Sequence, residues 1–280
     1  MDGPAFDLLL LDYSVSALAA AVSAFGNLSR AICFVATARA SGPFGPEPLR
    51  ERPISINALA ASLDRPFETI RRHVNALTAA GLVERSESGL SVPLRAITLP
   101  GAAQLSDQCH DLMIRLVDDL AASGHDLPDV RQDVAYDPRA GIGLAFDLLL
   151  AALECHAPRD SSWTRLSLLL AIEWADACNR LPELRGGPVG TFRASKVAHV
   201  LHLPYPTVTR NVDRLIQRGL VQRASDGLQP GMASTQWTEA QRSLANRGRQ
   251  LIGRLAQAGC PLDSPATAYI RHRPAPLTSA

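Results

Sequence analysis

Lysine is almost missing from this chain: Lys196 is the only one, so nearly all of the 28 basic side chains are arginines. An excess of either charge is missing too, because 27 acidic residues leave a formal net charge of +1. That balance excludes a basic particle that coats nucleic acid indiscriminately, so any surface for a polyanion must be local. Arginine is also the better fork for phosphates and guanine edges. The five cysteines, at 33, 109, 155, 178 and 260, form no C-x-x-C pair and show no Cys/His spacing that suggests zinc. An odd count without a secretory signal fits a reducing cytoplasm. The apolar run from Phe6 to Phe25 has no basic residue before it and carries Asp7 and Asp12. It is expected as a buried helix rather than a signal peptide or a membrane span. A Gly-rich phosphate loop, a nucleophile elbow and H-E-x-x-H are all absent, so no enzyme activity, catalytic residue, cofactor or metal is expected. The adjacent pairs Cys109-His110 and Cys155-His156 do not alter this, since neighbours on a helix point about 100° apart and rarely share an ion. Trp163 and Trp174 are read as core.

What the chain does have is an ungapped repeat at a spacing of 138 positions. Ala60, Leu63, Pro66, Thr69, Arg72, Val74 and Leu77 return as Ala198, Leu201, Pro204, Thr207, Arg210, Val212 and Leu215. Gly81-Leu82-Val83-x-Arg85 returns as Gly219-Leu220-Val221-x-Arg223, and Gly89-Leu90 as Gly227-Leu228. Between 60 and 90 this makes 13 identities in 31 positions. The phrase Ala5-Phe6-Asp7-Leu8-Leu9-Leu10 likewise returns as Ala145 to Leu150. A repeat of this length is a supersecondary unit used twice.

The halves run in the same order. Residues 1–124 hold helical sequence over about 6–40, a Pro/Gly loop at 41–48, the repeat unit at about 54–94 and a helix over 101–123. A linker follows at 125–140 and contains Pro128 and Pro138. Residues 141–260 hold helices over 142–157 and 162–181, a loop at 182–190, the unit at about 191–230 and a closing helix over 238–258. The tail, 261–280, carries four prolines and is expected to be loosely ordered.

Within a unit, residues 57–63 read as a short helix capped by Asn57 or Ser55, and Pro66 suits the entry to a second helix. There Ile70, Val74 and Leu77 make one buried stripe, as do Val208, Val212 and Leu215. Gly81 and Gly219 fit the left-handed residue past a helix end. Strands over 82–85 and 90–94 close a hairpin, and the second hairpin turns on Ser225-Asp226-Gly227. Helix, turn, helix and hairpin predict a winged helix-turn-helix. The fold class expected is therefore mainly α with small β wings: two tandem units, with flanking helices as a pairing or dimerisation layer.

A recognition helix buries one stripe and offers its exposed residues to the major groove. The DNA-binding candidates of the first unit are Phe67, Thr69, Arg71, Arg72 and Asn75, beside the acidic Glu68. Those of the second are Tyr205, Thr207, Thr209, Arg210 and Arg214. Arg and Asn fork onto guanine or adenine, and Thr touches a thymine methyl or a phosphate. Arg85 and Arg223, at the base of each wing, are placed for backbone phosphates. Residues 190–230 carry a balance of +4 and residues 50–95 only +2, so the second unit is the stronger candidate.

The run from Tyr205 to Val221 resembles the recognition helix and first wing strand of MarR-type transcriptional regulators. The first unit resembles the broader winged-helix regulator group. The likeness covers about 40 residues in each half and implies a DNA-binding regulator whose units are held in pairs by terminal helices. MarR-type wings are longer and carry an Asp-x-Arg element, which neither turn here supplies. The expectation is a cytoplasmic, nucleoid-associated, sequence-specific binder of double-stranded DNA that uses two recognition helices in one chain. A plasmid-type replication initiator and a tandem winged-helix protein-interaction scaffold are the alternatives. The stripes Leu105, Cys109, Leu112, Leu116 and Leu120 (with Met113 and Val117 beside it) and Ala240, Leu244, Leu251 and Leu255 pair the halves inside one chain or join two chains as a homodimer.

Overall fold

A computed structural model describes residues 3–41, 44, 52–185, 188–225, 227–231 and 234–277. Most of the expected loop at 41–48 and Asp226 of the second turn lie outside these residues. Among the described residues the chain is mainly helical, with two small antiparallel sheets.

The apolar stretch at 6–40 forms two helices, α1 (Pro4–Phe25) and α2 (Leu28–Ser41). They part at Gly26, and the Asn27 side chain accepts from Arg30 N at 2.9 Å to start the second. The first unit follows as α3 (Ile56–Ser62), α4 (Phe67–Ala79), β1 (Glu84–Ser86) and β2 (Gly89–Ser91). Of the two candidate caps, Ser55 acts: its hydroxyl accepts from Ala58 N at 3.0 Å. Then come α5 (Pro100–Ala122), a segment without helix or strand, α6 (Pro138–His156) and α7 (Trp163–Arg180). The second unit is α8 (Ala194–Val200), α9 (Tyr205–Gln217), β3 (Val221–Ala224) and β4 (Gly227–Pro230), closed by α10 (Ser234–Gln257).

The two units agree in backbone detail at positions 138 apart. Asp64 and His202 both turn the chain at positive φ, 48° and 51°. Pro66 and Pro204 each stand just before their helix, at φ −57° and −59°. Gly81 and Gly219 both take φ 71° past the helix end, the left-handed conformation that a side chain resists. Each hairpin is short, pairing Arg85 with Leu90 and Arg223 with Leu228. A single bridge extends each one, Ile54 to Leu90 and Phe192 to Gly227.

The remaining helices form one layer that mixes the halves. α1 packs against α2 and α5 of its own half, and against α7 and α10 of the other. α6 packs reciprocally against α10, α5 and α2. Across this seam the Tyr13 hydroxyl donates to the Ala145 carbonyl at 2.5 Å, and Trp174 Nε1 donates to Asp12 at 3.1 Å. One continuous hydrophobic core runs through layer and units. α1 is long and apolar enough to cross a membrane, but most of its apolar window is buried inside the protein. The stripes on α5 and α10 are also buried within the chain, from Leu105 to Leu120 and from Ala240 to Leu255. Their apolar faces are thus occupied by α1 and α6.

The tail differs from the expectation of loose order. Its four prolines remove donors, but three consecutive N–H groups find a buried acceptor on α5. The Asp111 carboxylate takes the amides of Ile270, Arg271 and His272 at 2.8, 3.1 and 3.3 Å. Arg115, buried and paired with Asp12, donates to the Ala275 carbonyl at 2.5 Å. Arg271 and Arg273 add ion pairs to Asp107, Asp118 and Asp119. A basic tail thereby lies along an acidic helix face.

Candidate nucleic-acid interface

The outward faces of the two helices follow from the stripes. Ile70, Val74 and Leu77 are buried under α4, and Val208, Val212 and Leu215 under α9. Each helix therefore turns its other residues outward. Phe67, Arg71, Arg72, Asn75 and Arg85 are exposed in the first unit, and Tyr205, Arg210, Arg214 and Arg223 in the second. Thr69, Thr207 and Thr209 are half-buried. Every sequence candidate thus lies on the outer face of its helix or on the adjoining strand. Phe67 and Tyr205, at the first position of each helix, are 41% and 55% exposed, large for aromatic rings without a partner.

The two faces carry their charge differently. In the first, Arg71 donates to the Glu68 carboxylate at 2.7 and 3.0 Å, which compensates that guanidinium locally, while Arg72 has no carboxylate partner among the described residues. The second has Pro206 and Thr209 at those positions, and the carboxylate of its outer face, Asp213, pairs with Arg223 instead. Thr209 Oγ donates to the Tyr205 carbonyl at 3.1 Å, which ties its hydroxyl to the helix.

Arg85 and Arg223 make matching contacts inside their own units. Arg85 donates to Asn75 Oδ1 at 3.3 Å, and Arg223 to Asp213 Oδ1 at 2.8 Å. Positions 75 and 213 are equivalent, as are 85 and 223, so each hairpin is strapped to its helix at the same place. The pattern was present in the sequence as two matched positions, but a separation of 10 residues hid the contact. Sequence reasoning also missed the residues that set the units against the helical layer. Arg218, at the end of α9, pairs with Asp160 and donates to the Arg159 carbonyl at 2.9 Å. Arg65, in the first turn, stacks over Trp163 at 4.5 Å.

Burial moves His73, His156 and Cys109 toward their neutral forms. His73 lies below its usual value through burial and the nearby Arg72 and Arg30 charges. His156 is pushed down to about 4 by burial, and its Nδ1 bonds the Ala152 carbonyl at 2.8 Å. His110 bonds the Tyr136 hydroxyl at 2.7 Å, and its neighbour Cys109 is a buried thiol whose pKa burial raises. The two Cys-His pairs are thus part of the packing. Among the described residues, no group of three His, Cys, Asp or Glu side chains could hold a metal ion. Trp174 is fully buried and Trp163 nearly so.

Comparison with known proteins finds the HVO_A0114 family model over residues 49–99, a stretch that spans the first unit and covers less than half of the chain. No curated protein and no solved structure matches the chain.

Proposed function

We propose that this chain is a sequence-specific double-stranded DNA-binding transcriptional regulator of MarR-like, winged-helix type. In this reading the two units are winged helix-turn-helix readers, and the layer of α1, α2, α5, α6, α7 and α10 pairs them inside one chain. The observation that carries it is the matched outward placement of Thr69/Thr207 and Arg72/Arg210 on two helices of the same backbone geometry. Arginines there fork onto guanine in the major groove, while Arg85 and Arg223 meet phosphates from the wing base. Linking two readers raises affinity through effective concentration and sets two half-sites. The larger positive balance over residues 190–230, +4 against +2 over residues 50–95, makes the second unit the stronger reader. Because the faces differ at most exposed positions, the bound site need not be a palindrome. Such a role places the protein in the cytoplasm, on the nucleoid.

Selection of bound genomic fragments, followed by affinity measurement at several salt concentrations, tests this. Affinity is expected to fall steeply as salt rises. Arg210→Ala should weaken binding to a selected site by about 10- to 100-fold, the worth of one bidentate base contact. Arg72→Ala should cost less. Salt-independent binding, or full affinity in the double variant, refutes the reading.

A further inference from the structure

The chain turns from α6 into α7 at a corner, residues 157–162, that is built on side-chain caps. The Asp160 carboxylate accepts from Ser162 N at 2.7 Å, and the Ser162 hydroxyl accepts from Arg165 N at 3.4 Å. These two linked caps hold the corner and start α7 at Trp163. The Asp160 side chain is buried, and its other oxygen accepts from Arg165 at 2.7 Å and from Arg218 of the second unit. Arg218 reaches the corner's main chain as well, at the Arg159 carbonyl. Trp163, the first residue of α7, carries the Arg65 guanidinium of the first unit over its ring. Both units therefore meet at one corner.

Their other supports are separate. α4 packs on α2, whereas α9 and β4 pack on α7. Between the first unit's turn and the end of α6 lies a cleft of about 200 Å³, lined by Leu63, Leu150, Leu153 and Trp163. The Arg65 stack bridges the first unit to α7 beside that unfilled space. The duplication also breaks here, because Arg65 corresponds to Leu203 and Arg218 to Ala80. Scaffold positions of a unit recur in both copies. These two do not, so they serve the pairing of the units rather than the fold of either one.

We infer that Arg65, Trp163, Asp160 and Arg218 form a joint that fixes the angle between the two units, and with it the half-site spacing that the chain accepts. They are positioning residues and take no part in reading bases. Each inserted base pair rotates one half-site against the other by about a tenth of a turn, which a rigid pair of readers cannot follow. The spacing role rests on the DNA-binding reading; the joint does not.

The joint is tested without DNA by pulsed electron resonance between nitroxides on Glu87→Cys and Ser225→Cys, exposed on the two wing turns of the full chain. Cys155→Ser removes the one native cysteine that is not buried. The parent should give one narrow distance, and the double variant Arg65→Ala/Arg218→Ala a broader distribution. The two single variants, each freeing one unit, should broaden it less and serve if the double variant fails to fold. The spacing role is tested on a selected DNA site with and without two base pairs inserted between its half-sites. The insertion should weaken the parent about 100-fold, the advantage of a linked second reader, and the double variant less than about 10-fold. Affinity for a probe with a single half-site should be the same in both. An unchanged distance distribution overturns the joint. A broadened distribution with the parent's full spacing penalty overturns the spacing role, as does an equal loss on the single half-site probe. A chain whose distance broadens in the variants but that binds no DNA keeps the joint and removes the DNA-binding reading instead.

Discussion

Gly227 sits at φ 118°, and a Cβ built on it would stand 2.8 Å from the Phe192 carbonyl oxygen; Gly89 repeats this at φ 133° and 2.9 Å from Ile54 O. Two penalties therefore meet at one residue, the left-handed backbone and a backbone atom that cannot step aside. Gly219 has only the first, with open space around its missing side chain. Gly227→Ala should cost about 2–3 kcal/mol and Gly219→Ala about 1 kcal/mol. Thermal melts of the two variants check the order, and equal losses would show that the contact with the bridging strand is unimportant. Two buried titratable groups near the second unit pull against each other. Burial pushes Glu173 up to about 7, against the opposing pull of Arg159, while it pushes His156 down to about 4. Folded Glu173 keeps a proton that the unfolded chain releases, so its contribution is present below the unfolded value of 4.5 and is lost as pH rises towards 7. Folded His156 refuses a proton that the unfolded chain binds, so its contribution is present above 6.5 and lost as pH falls towards 4. Glu173→Gln removes only the first slope. The melting temperature of this variant minus that of the parent should therefore climb from pH 5 to pH 7.5; a flat or falling difference contradicts the assignment.

Among the elements, α5 bears the most varied load. One side buries Leu105 to Leu120 against α1 and α6, and Asp111 and Arg115 bind the tail through its main chain. The apolar stripe was legible in the sequence because its period is helical. The second role was not, because acceptors for backbone amides leave no mark on the segment they hold. Prolines in that segment even pointed the other way. Removing residues 269–280 would leave both charged groups buried with part of their hydrogen bonding lost, although Asp12 and His110 remain beside them. The expected cost is about 3 kcal/mol, or about 5–10 °C in melting temperature for a chain of this size. Replacing Arg271 and Arg273 by alanine removes only half-exposed ion pairs and should cost less than about 1 kcal/mol each. Equal losses in the two experiments would mean that charge, rather than the backbone contacts, holds the tail.

At the scale of the whole molecule, the units were the legible part. Their proline, glycine and stripe signals all fall within 31 residues, where local conformation decides the outcome. The arrangement of the helical layer was not legible. α1 is apolar on nearly every face and buried on nearly every face, so it presents no stripe to say which helix lies where. A cavity lined by Leu8, Ala177 and Ala245 was hidden for the same reason, since it exists only where three distant segments meet. That layer also limits what the linker at 125–140 can separate. The linker divides the repeat in sequence, but α1 finds α7 and α10 across it and α6 finds α2 and α5. Residues 1–124 made alone would expose the apolar faces that α6, α7 and α10 cover, and residues 125–280 would expose those covered by α1 and α5. Neither fragment is therefore expected to melt cooperatively by itself. Produced together as two chains, they should recover a 1:1 complex, because every seam contact is non-covalent and only loop-closure entropy is lost. Calorimetry of each fragment and of the mixture decides the matter. A cooperative transition in either fragment alone would show two self-sufficient domains, and a mixture that stays unfolded would show that the covalent link is needed to bring α1 onto α7.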